Sequence, residues 1–139
     1  MSLKSRAGQA VVEFALVMPV FIVLVFGALE FGDAFYDVHL LTNAARSGAR
    51  LGCLPGQVET NVSASVTSFM TTVGLTGYTT TTAVTDTTGA ARTGGLVNAV
   101  EGDTVTVTVA YPFSVDCGTL VPGLTNGMVL HGRCAFRHE

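Results

Sequence analysis

The sequence predicts an α+β protein in which a long N-terminal hydrophobic helix, a transmembrane stem, packs on a head made of a small antiparallel sheet and one extra helix. Three observations support this fold class. Residues 14–29 carry no charge, residues 58–73 place apolar side chains every three or four positions, and residues 103–111 alternate threonine with valine. These patterns are typical of a membrane-spanning helix, an amphipathic helix and a half-buried strand, respectively.

The uncharged run of residues 14–29 is short for a membrane span. As a helix it covers about 24 Å, whereas the hydrocarbon core of a bilayer is about 30 Å thick. The span must therefore include residues 9–12, which brings the Glu13 carboxylate to membrane depth. Lys4 and Arg6 precede the span, so we expect the N-terminus to stay in the cytoplasm.

Glu13 needs a partner at that depth. A carboxylate inside a bilayer costs roughly 2.5–3.5 kcal/mol on insertion scales, and such residues are usually paired or functional. Cleavage after Gly8 would give Gln9 a new α-amino group one helical turn before Glu13, and this cation would neutralise the carboxylate of its own chain or of a neighbour. The alternatives are an ordinary signal-anchor helix with an incidental glutamate and, less fittingly, a cleaved secretory signal, whose apolar region is normally shorter.

The helix continues beyond the apolar run. Apolar and small residues recur every three or four positions after residue 33, namely Phe35, Val38, Leu41, Ala45, Gly48 and Gly52. This stripe predicts one helix over residues 9–52, with a tolerable kink at Pro19. Its small residues permit close packing, either on helices of other subunits or on the chain's own head. Pro55 and Gly56 predict where the helix stops.

The remainder of the chain, residues 53–139, predicts the head. A second helix covers residues 58–73, a threonine-rich β-prone segment covers 78–88, a loop covers 89–95, and a strand covers 103–111. Met128, Leu130, Cys134 and Phe136 share one parity, which predicts another half-buried strand. The sequence thus predicts three or four antiparallel strands packed against the helix stripe.

Composition argues against several classes of function. At 139 residues the chain has room for about one domain. Only 12% of the residues are charged and the mean hydropathy is +0.51, so the excess apolar surface must meet lipid or other protein. The net charge of −3, without a basic cluster after residue 50, argues against nucleic-acid binding. No catalytic arrangement or phosphate loop is present, so we expect neither an enzyme nor a cofactor.

The histidines and cysteines of the head are candidate metal ligands and disulfide partners. His131, Cys134 and His138 are potential ligands, but a strand points His131 away from the other two, so we expect no metal site. All three cysteines follow the apolar run and would lie outside the membrane, where disulfides persist. Cys117 and Cys134 are the predicted intrachain pair, which leaves Cys53 as a buried thiol or an intersubunit link.

The N-terminal stretch from Arg6 to Pro19, RAGQAVVEFALVMP, resembles the start of the TadE-like family, the pilin-like proteins of tight-adherence (Tad) pili. Two further stretches are similar to this family. Residues 29–32 followed by 41–50 look like its second motif, and Arg137-His-Glu139 looks like its usual Arg-x-Glu ending. The resemblance is close over the first 52 residues and loose at the C-terminus.

The resemblance implies a prepilin whose leader, residues 1–8, is removed by a prepilin peptidase between Gly8 and Gln9. The rest of the chain would divide into the stem helix, residues 9–52, and the head, residues 53–139. Such a subunit would wait in the bacterial inner membrane until a pilus machine extracts it into an extracellular filament on the cell surface. Its partners would be copies of itself, related pilins and the inner-membrane assembly machinery.

In that filament the stem helices would pack on one another, with Glu13 as the charge partner. The packing positions we expect are Phe14, Pro19, Ala45, Gly48 and Gly52. The sequence leaves open whether the chain is a minor Tad pilin or the main subunit of its own filament. The alternative function is a membrane-anchored adhesin or binding module that never polymerises.

Overall fold

The computed structural model describes the backbone of residues 3–115 and 127–139, and the side chains of residues 8–115 and 127–139. The elements along the chain are helix α1 (Leu3–Gly52), helix α2 (Glu59–Val73), strand β1 (Thr79–Thr85), a 3₁₀ helix (Gly95–Asn98), strand β2 (Thr104–Phe113) and strand β3 (Met128–Arg137). This is the predicted α+β fold. The described residues form an N-terminal unit, residues 3–33 with 114–115, and a head unit, residues 34–113 with 127–139.

Helix α1 begins earlier than the predicted stem. It starts at Leu3, inside the predicted leader, and it continues through Pro19. It ends at Gly52, where the next residue closes the last turn by donating its amide to the Ala49 carbonyl at 3.1 Å. Pro55 follows shortly afterwards and lacks the amide donor that a further turn would need. The predicted C-terminal boundary is therefore confirmed.

Helix α2 matches the predicted second helix. Val62, Val66 and Met70 are its buried residues, and their spacing of four places them on one face. Gly74 ends the helix in the left-handed conformation, with φ of +78°, and its amide donates to the Thr71 carbonyl at 3.2 Å. Glycine adopts this conformation without the steric cost that a Cβ atom imposes, so it suits a helix C-terminus.

The three strands form one antiparallel sheet in the order β1-β2-β3, which makes β2 the central strand. Val107 of β2 lies opposite Thr82 of β1 and Cys134 of β3. Val107 and its neighbours on that face, Val105 and Val109, are 0% exposed, as the alternation predicts. A central strand has a neighbour on each side, so its side chains bury more surface than those of an edge strand.

Glycines mark where α1 approaches the rest of the head unit most closely. A methyl group added to Gly132 of β3 would overlap the backbone of Leu41 and Thr42 in α1. A methyl group on Gly48 would lie 2.8 Å from Val66 Cγ2, closer than real Cβ atoms come. The head half of α1 therefore packs on the sheet and on α2 through its small residues.

Two details of the head differ from the predictions. Phe35 does not belong to the buried stripe, because its side chain is 58% exposed and stacks edge-to-face on His39 at 4.6 Å. Within the head unit, the first fully buried residue of α1 is Leu41, where β3 meets the helix. The 3₁₀ helix Gly95–Asn98 was not predicted, and it inserts the 3% exposed side chain of Leu96 into the core.

Candidate functional site

The outer surface of α1 between residues 8 and 29 is apolar and uncovered. All but two of these residues are exposed, and the two exceptions, Val23 and Gly27, are half-buried. Phe14, Val17, Met18 and Phe21 line a shallow, wholly apolar hollow. The most apolar 18-residue stretch of the segment Gly8–Gly52 has a mean hydropathy of 2.5, and none of it is buried. By length and composition this helix can cross a membrane.

Glu13 is the carboxylate within this apolar surface. Its side chain is exposed, and its Oε1 accepts a hydrogen bond from Nε2 of Gln9 at 3.3 Å, one helical turn earlier. The second glutamate of α1, Glu30, differs because only 7% of it is exposed. Glu13 is therefore the glutamate of this helix whose carboxylate faces outward, where lipid or a second helix would meet it.

The predicted cleavage residues, Gly8 and Gln9, lie inside α1 and are exposed. Peptidases generally act on extended backbone, so cutting here requires the first turns of the helix to open. Gly8 makes opening easier, because glycine in a helix interior is about 1 kcal/mol less favourable than alanine. No described atom lies within 4 Å of a methyl group added at Gly8, so its neighbours in the structure do not require a glycine.

The segment that contains Gly8, Gln9 and Glu13 is similar to a known protein family. Residues 8–50 match the family model described as TadE-like protein. The N-terminal segment of this chain is TadE-like. No curated protein and no solved structure matches the chain. The match covers about a third of the chain, and the helix that carries it is long and apolar enough to cross a membrane.

The TadE-like segment covers nearly all of α1 but not the head beyond it. The predicted resemblance of Arg137-His-Glu139 lies outside the matched residues and stays a prediction. In the structure this C-terminus is bonded to the end of α1, because the Glu139 amide donates to the Cys53 carbonyl at 3.2 Å. His138 is held as well, since its amide donates to the Asp103 carbonyl at 2.7 Å. The C-terminal residues are thus hydrogen-bonded both to the residue that follows α1 and to the residue that precedes β2.

The five predicted packing residues fall into two groups. Phe14 and Pro19 are exposed on the apolar surface, where a partner helix could reach them. Ala45, Gly48 and Gly52 are buried in the head unit. A methyl group on Gly52 would lie 3.1 Å from Val105 Cγ1 and 3.2 Å from Val62 Cγ2. The first part of the matched helix is therefore uncovered, whereas its last turns contact the head.

The predicted disulfide involves Cys117, which lies outside the described residues, so that pairing stays a prediction. Cys53 is 7% exposed, and Cys134 is half-buried on β3. Both thiols are free in the structure. Burial raises the pKa of the Cys53 thiol, and the nearby Glu139 and Cys134 raise it further. Both effects disfavour the thiolate, which is the nucleophilic form of cysteine.

One buried polar contact of the head does not follow from any sequence pattern. Asp103 is 1% exposed and forms an ion pair with Arg92 from the loop after β1. This pair is eleven residues apart across a loop, and no sequence pattern links such positions. Among the residues that the structure describes, no group of three or more histidine, cysteine, aspartate or glutamate side chains is arranged to hold a metal ion.

Proposed function

We propose that this chain is a structural, non-enzymatic subunit that is anchored in the bacterial inner membrane and then polymerises through its N-terminal helix into an extracellular filament. It acts either as a minor Tad pilin or as the main subunit of its own filament. The observation that carries the proposal is the outward-facing Glu13 carboxylate in the uncovered apolar surface of residues 8–29. The TadE-like match over residues 8–50 supports the same class of function.

The physical argument concerns what covers the apolar surface. In the membrane, lipid covers it, and the Glu13 carboxylate is unfavourable there unless it is neutralised. After extraction the same surface would be exposed to water, at a cost of about 25 cal/mol for each Å² of apolar area. Packing against equivalent helices removes this cost. A filament core is thus the environment outside the membrane that best accommodates residues 8–29.

Leader removal supplies the charge that this core needs. Cleavage between Gly8 and Gln9 by a prepilin peptidase leaves an α-amino group on Gln9, whose side chain already reaches Glu13. In a low-dielectric helix core, an ammonium and a carboxylate stabilise each other far more than in water. The new N-terminus of one subunit would then neutralise Glu13 of its own chain or of a neighbour. The Glu13 carboxylate would therefore be more stable in the filament core than in lipid.

The test uses the full-length protein in a cell that assembles the filament. We would compare wild type, Glu13→Ala and Glu13→Gln, with Glu101→Gln as the control because Glu101 is an exposed carboxylate of the head. Intact-mass spectrometry reports loss of residues 1–8, and sheared surface fractions report assembly. We expect processed wild-type filaments and a loss of assembly of at least about tenfold in both Glu13 variants, because each leaves the new Gln9 ammonium without its counter-charge. A tenfold loss corresponds to roughly 1.4 kcal/mol.

Two results would oppose the proposal. Filaments of normal abundance from Glu13→Ala would show that the carboxylate is incidental. A wild-type chain that stays in the membrane as a full-length monomer under assembling conditions would favour the non-polymerising adhesin or binding module instead. Either result is valid only if the control variant, Glu101→Gln, assembles normally.

A further inference from the structure

Two of the three cysteines belong to facing elements of the head unit. Cys53 follows the last residue of α1, and Cys134 lies near the middle of β3. Cys134 is opposite Val107 in the sheet, so its side chain is on the valine face that packs against α1. Cys53 is buried and Cys134 is half-buried, so both side chains are at least partly covered by the head.

The contacts of the last turns of α1 locate Cys53 on this face. A methyl group on Gly48 would lie 3.5 Å from Val107 Cγ1, and one on Gly52 would lie 3.1 Å from Val105 Cγ1. These two valines are the β2 neighbours of Cys134 and Phe136 on β3. The Cys53 carbonyl is itself bonded to the amide of Glu139, which directly follows β3 along the chain. Cys53 therefore lies over the β3 side of the sheet, near the C-terminal half of that strand.

We propose that Cys53 and Cys134 form an intrachain disulfide that joins the end of α1 to β3 once the head is in an oxidising compartment. The proposal rests on the proposed function in one respect, because that function exports the head to the oxidising compartment. The geometry is supported by the electrostatic influence of Cys134, which is the smallest of the three causes that raise the pKa of Cys53. This pairing competes with the sequence-based prediction of Cys117 with Cys134.

The redox step is an ordinary thiol–disulfide exchange with an external disulfide, either that of an oxidoreductase or glutathione disulfide. The Cys134 thiolate, which is the more accessible, attacks the external disulfide, forms a mixed disulfide and releases one thiolate. The Cys53 thiolate then attacks Cys134 Sγ and releases the second thiolate. The protein loses two electrons and two protons, and the oxidant becomes two thiols.

Peptide mapping tests the pairing directly, and the sequence suits trypsin. Cleavage after Arg50, Arg92, Arg133 and Arg137 puts each cysteine in a separate peptide, namely residues 51–92, 93–133 and 134–137. Purified full-length protein in detergent would be reduced, reoxidised with glutathione and glutathione disulfide, alkylated and digested without reductant. We expect residues 51–92 linked to 134–137, from protein that runs as a monomer on a non-reducing gel.

Other maps would overturn the proposal. They are a link to residues 93–133, three alkylated thiols, or a link between two chains. The bond would close most of the head into one loop, so we expect oxidation to raise the melting temperature by about 10–20 °C. Cys117→Ser should keep that rise, whereas Cys53→Ser and Cys134→Ser should lose it. Because this experiment involves neither export nor assembly, its failure would leave the filament proposal untouched.

Discussion

The Arg92 guanidinium holds the buried Asp103 carboxylate through both of its oxygens. Nη2 of Arg92 donates to Oδ1 of Asp103 at 2.5 Å, and Nε of Arg92 lies against Oδ2. The Val100 amide donates to Oδ2 at 2.9 Å, and the backbone carbonyl of Asp103 accepts from the His138 amide. Asp103 thus connects the loop after β1, the start of β2 and the C-terminus. Charge-assisted hydrogen bonds of this kind are stronger than neutral ones.

Replacing Asp103 by asparagine tests this connection. The Asp103→Asn side chain keeps its size but presents a neutral amide, so the half-buried Arg92 loses its counter-charge. We expect a clear fall in the melting temperature of the full chain in detergent, followed by circular dichroism. Asp86→Asn is the matched control. Asp86 accepts hydrogen bonds from the Thr88 and Ala90 amides in a turn that asparagine also stabilises. Asp86→Asn should therefore lower the melting temperature less than Asp103→Asn. Equal melting of both variants would contradict the role given to Asp103.

Acid should weaken the head through the same two carboxylates. The side-chain hydrogen bond from Arg92 is the main cause that lowers the pKa of Asp103, and that from Thr88 is the main cause that lowers the pKa of Asp86. A carboxyl with a lowered pKa in the folded state stabilises above its ordinary value of 3.8 and loses this contribution as the pH falls further. We expect the melting temperature to drop below about pH 4. The drop should be reduced in Asp103→Asn, and an unchanged drop would contradict this assignment.

The elements of this fold could be predicted from periodicity, but the contacts between them could not. Residues 103–111 alternate so regularly that β2 follows from local pattern alone, and the α2 stripe is equally local. Gly132 shows the limit. In the sequence it only weakens a strand, whereas in the structure it is where the α1 backbone lies against β3. Glu13 could be identified from the sequence, because the apolar composition around it predicts a membrane span and a carboxylate is unfavourable in lipid. The Arg92–Asp103 pair depends on loop folding and could not be found.

Gly48 and Gly32 offer a comparison of two helical glycines in α1. Alanine favours a helix over glycine by about 1 kcal/mol, so each change to alanine helps the helix itself. In Gly48→Ala the new methyl meets Val66 Cγ2, and overpacking of this kind costs about 1–3 kcal/mol. No described atom lies within 4 Å of the methyl group in Gly32→Ala. We expect Gly48→Ala to lower the melting temperature of the head and Gly32→Ala to leave it equal or higher. The reverse order would contradict the packing of α1 on α2.

Leu41 and Leu54 compare the same truncation at a buried and an exposed site. Leu41 is 0% exposed where α1 meets β3, whereas Leu54, just beyond α1, is 45% exposed. Leu41→Ala should lower the free energy of unfolding by about 2–5 kcal/mol, because a buried leucine leaves a cavity. Leu54→Ala should change it by no more than about 0.5 kcal/mol. Denaturant unfolding of the full chain in detergent measures both. Similar losses at the two sites would contradict the burial of Leu41 where α1 meets β3.

The Cys53 thiol should make the reduced head sensitive to alkaline pH. Its pKa is raised first by burial and then by Glu139 and Cys134, so the folded state holds the thiol proton more tightly than the unfolded chain does. A raised pKa contributes stability that is complete below the ordinary value of 9.0 and is lost as the pH rises through the folded-state value.

We therefore expect reduced wild-type protein to lose more melting temperature between pH 8 and pH 10.5 than Cys53→Ala does, when both are kept reduced. All other titratable groups are present in both proteins, so the difference between the two curves isolates Cys53. Alanine is also small and apolar, which preserves the packing at the end of α1. A difference that stays constant across this pH range would mean that the thiol is not perturbed, and it would remove the electrostatic support for a Cys134 neighbour.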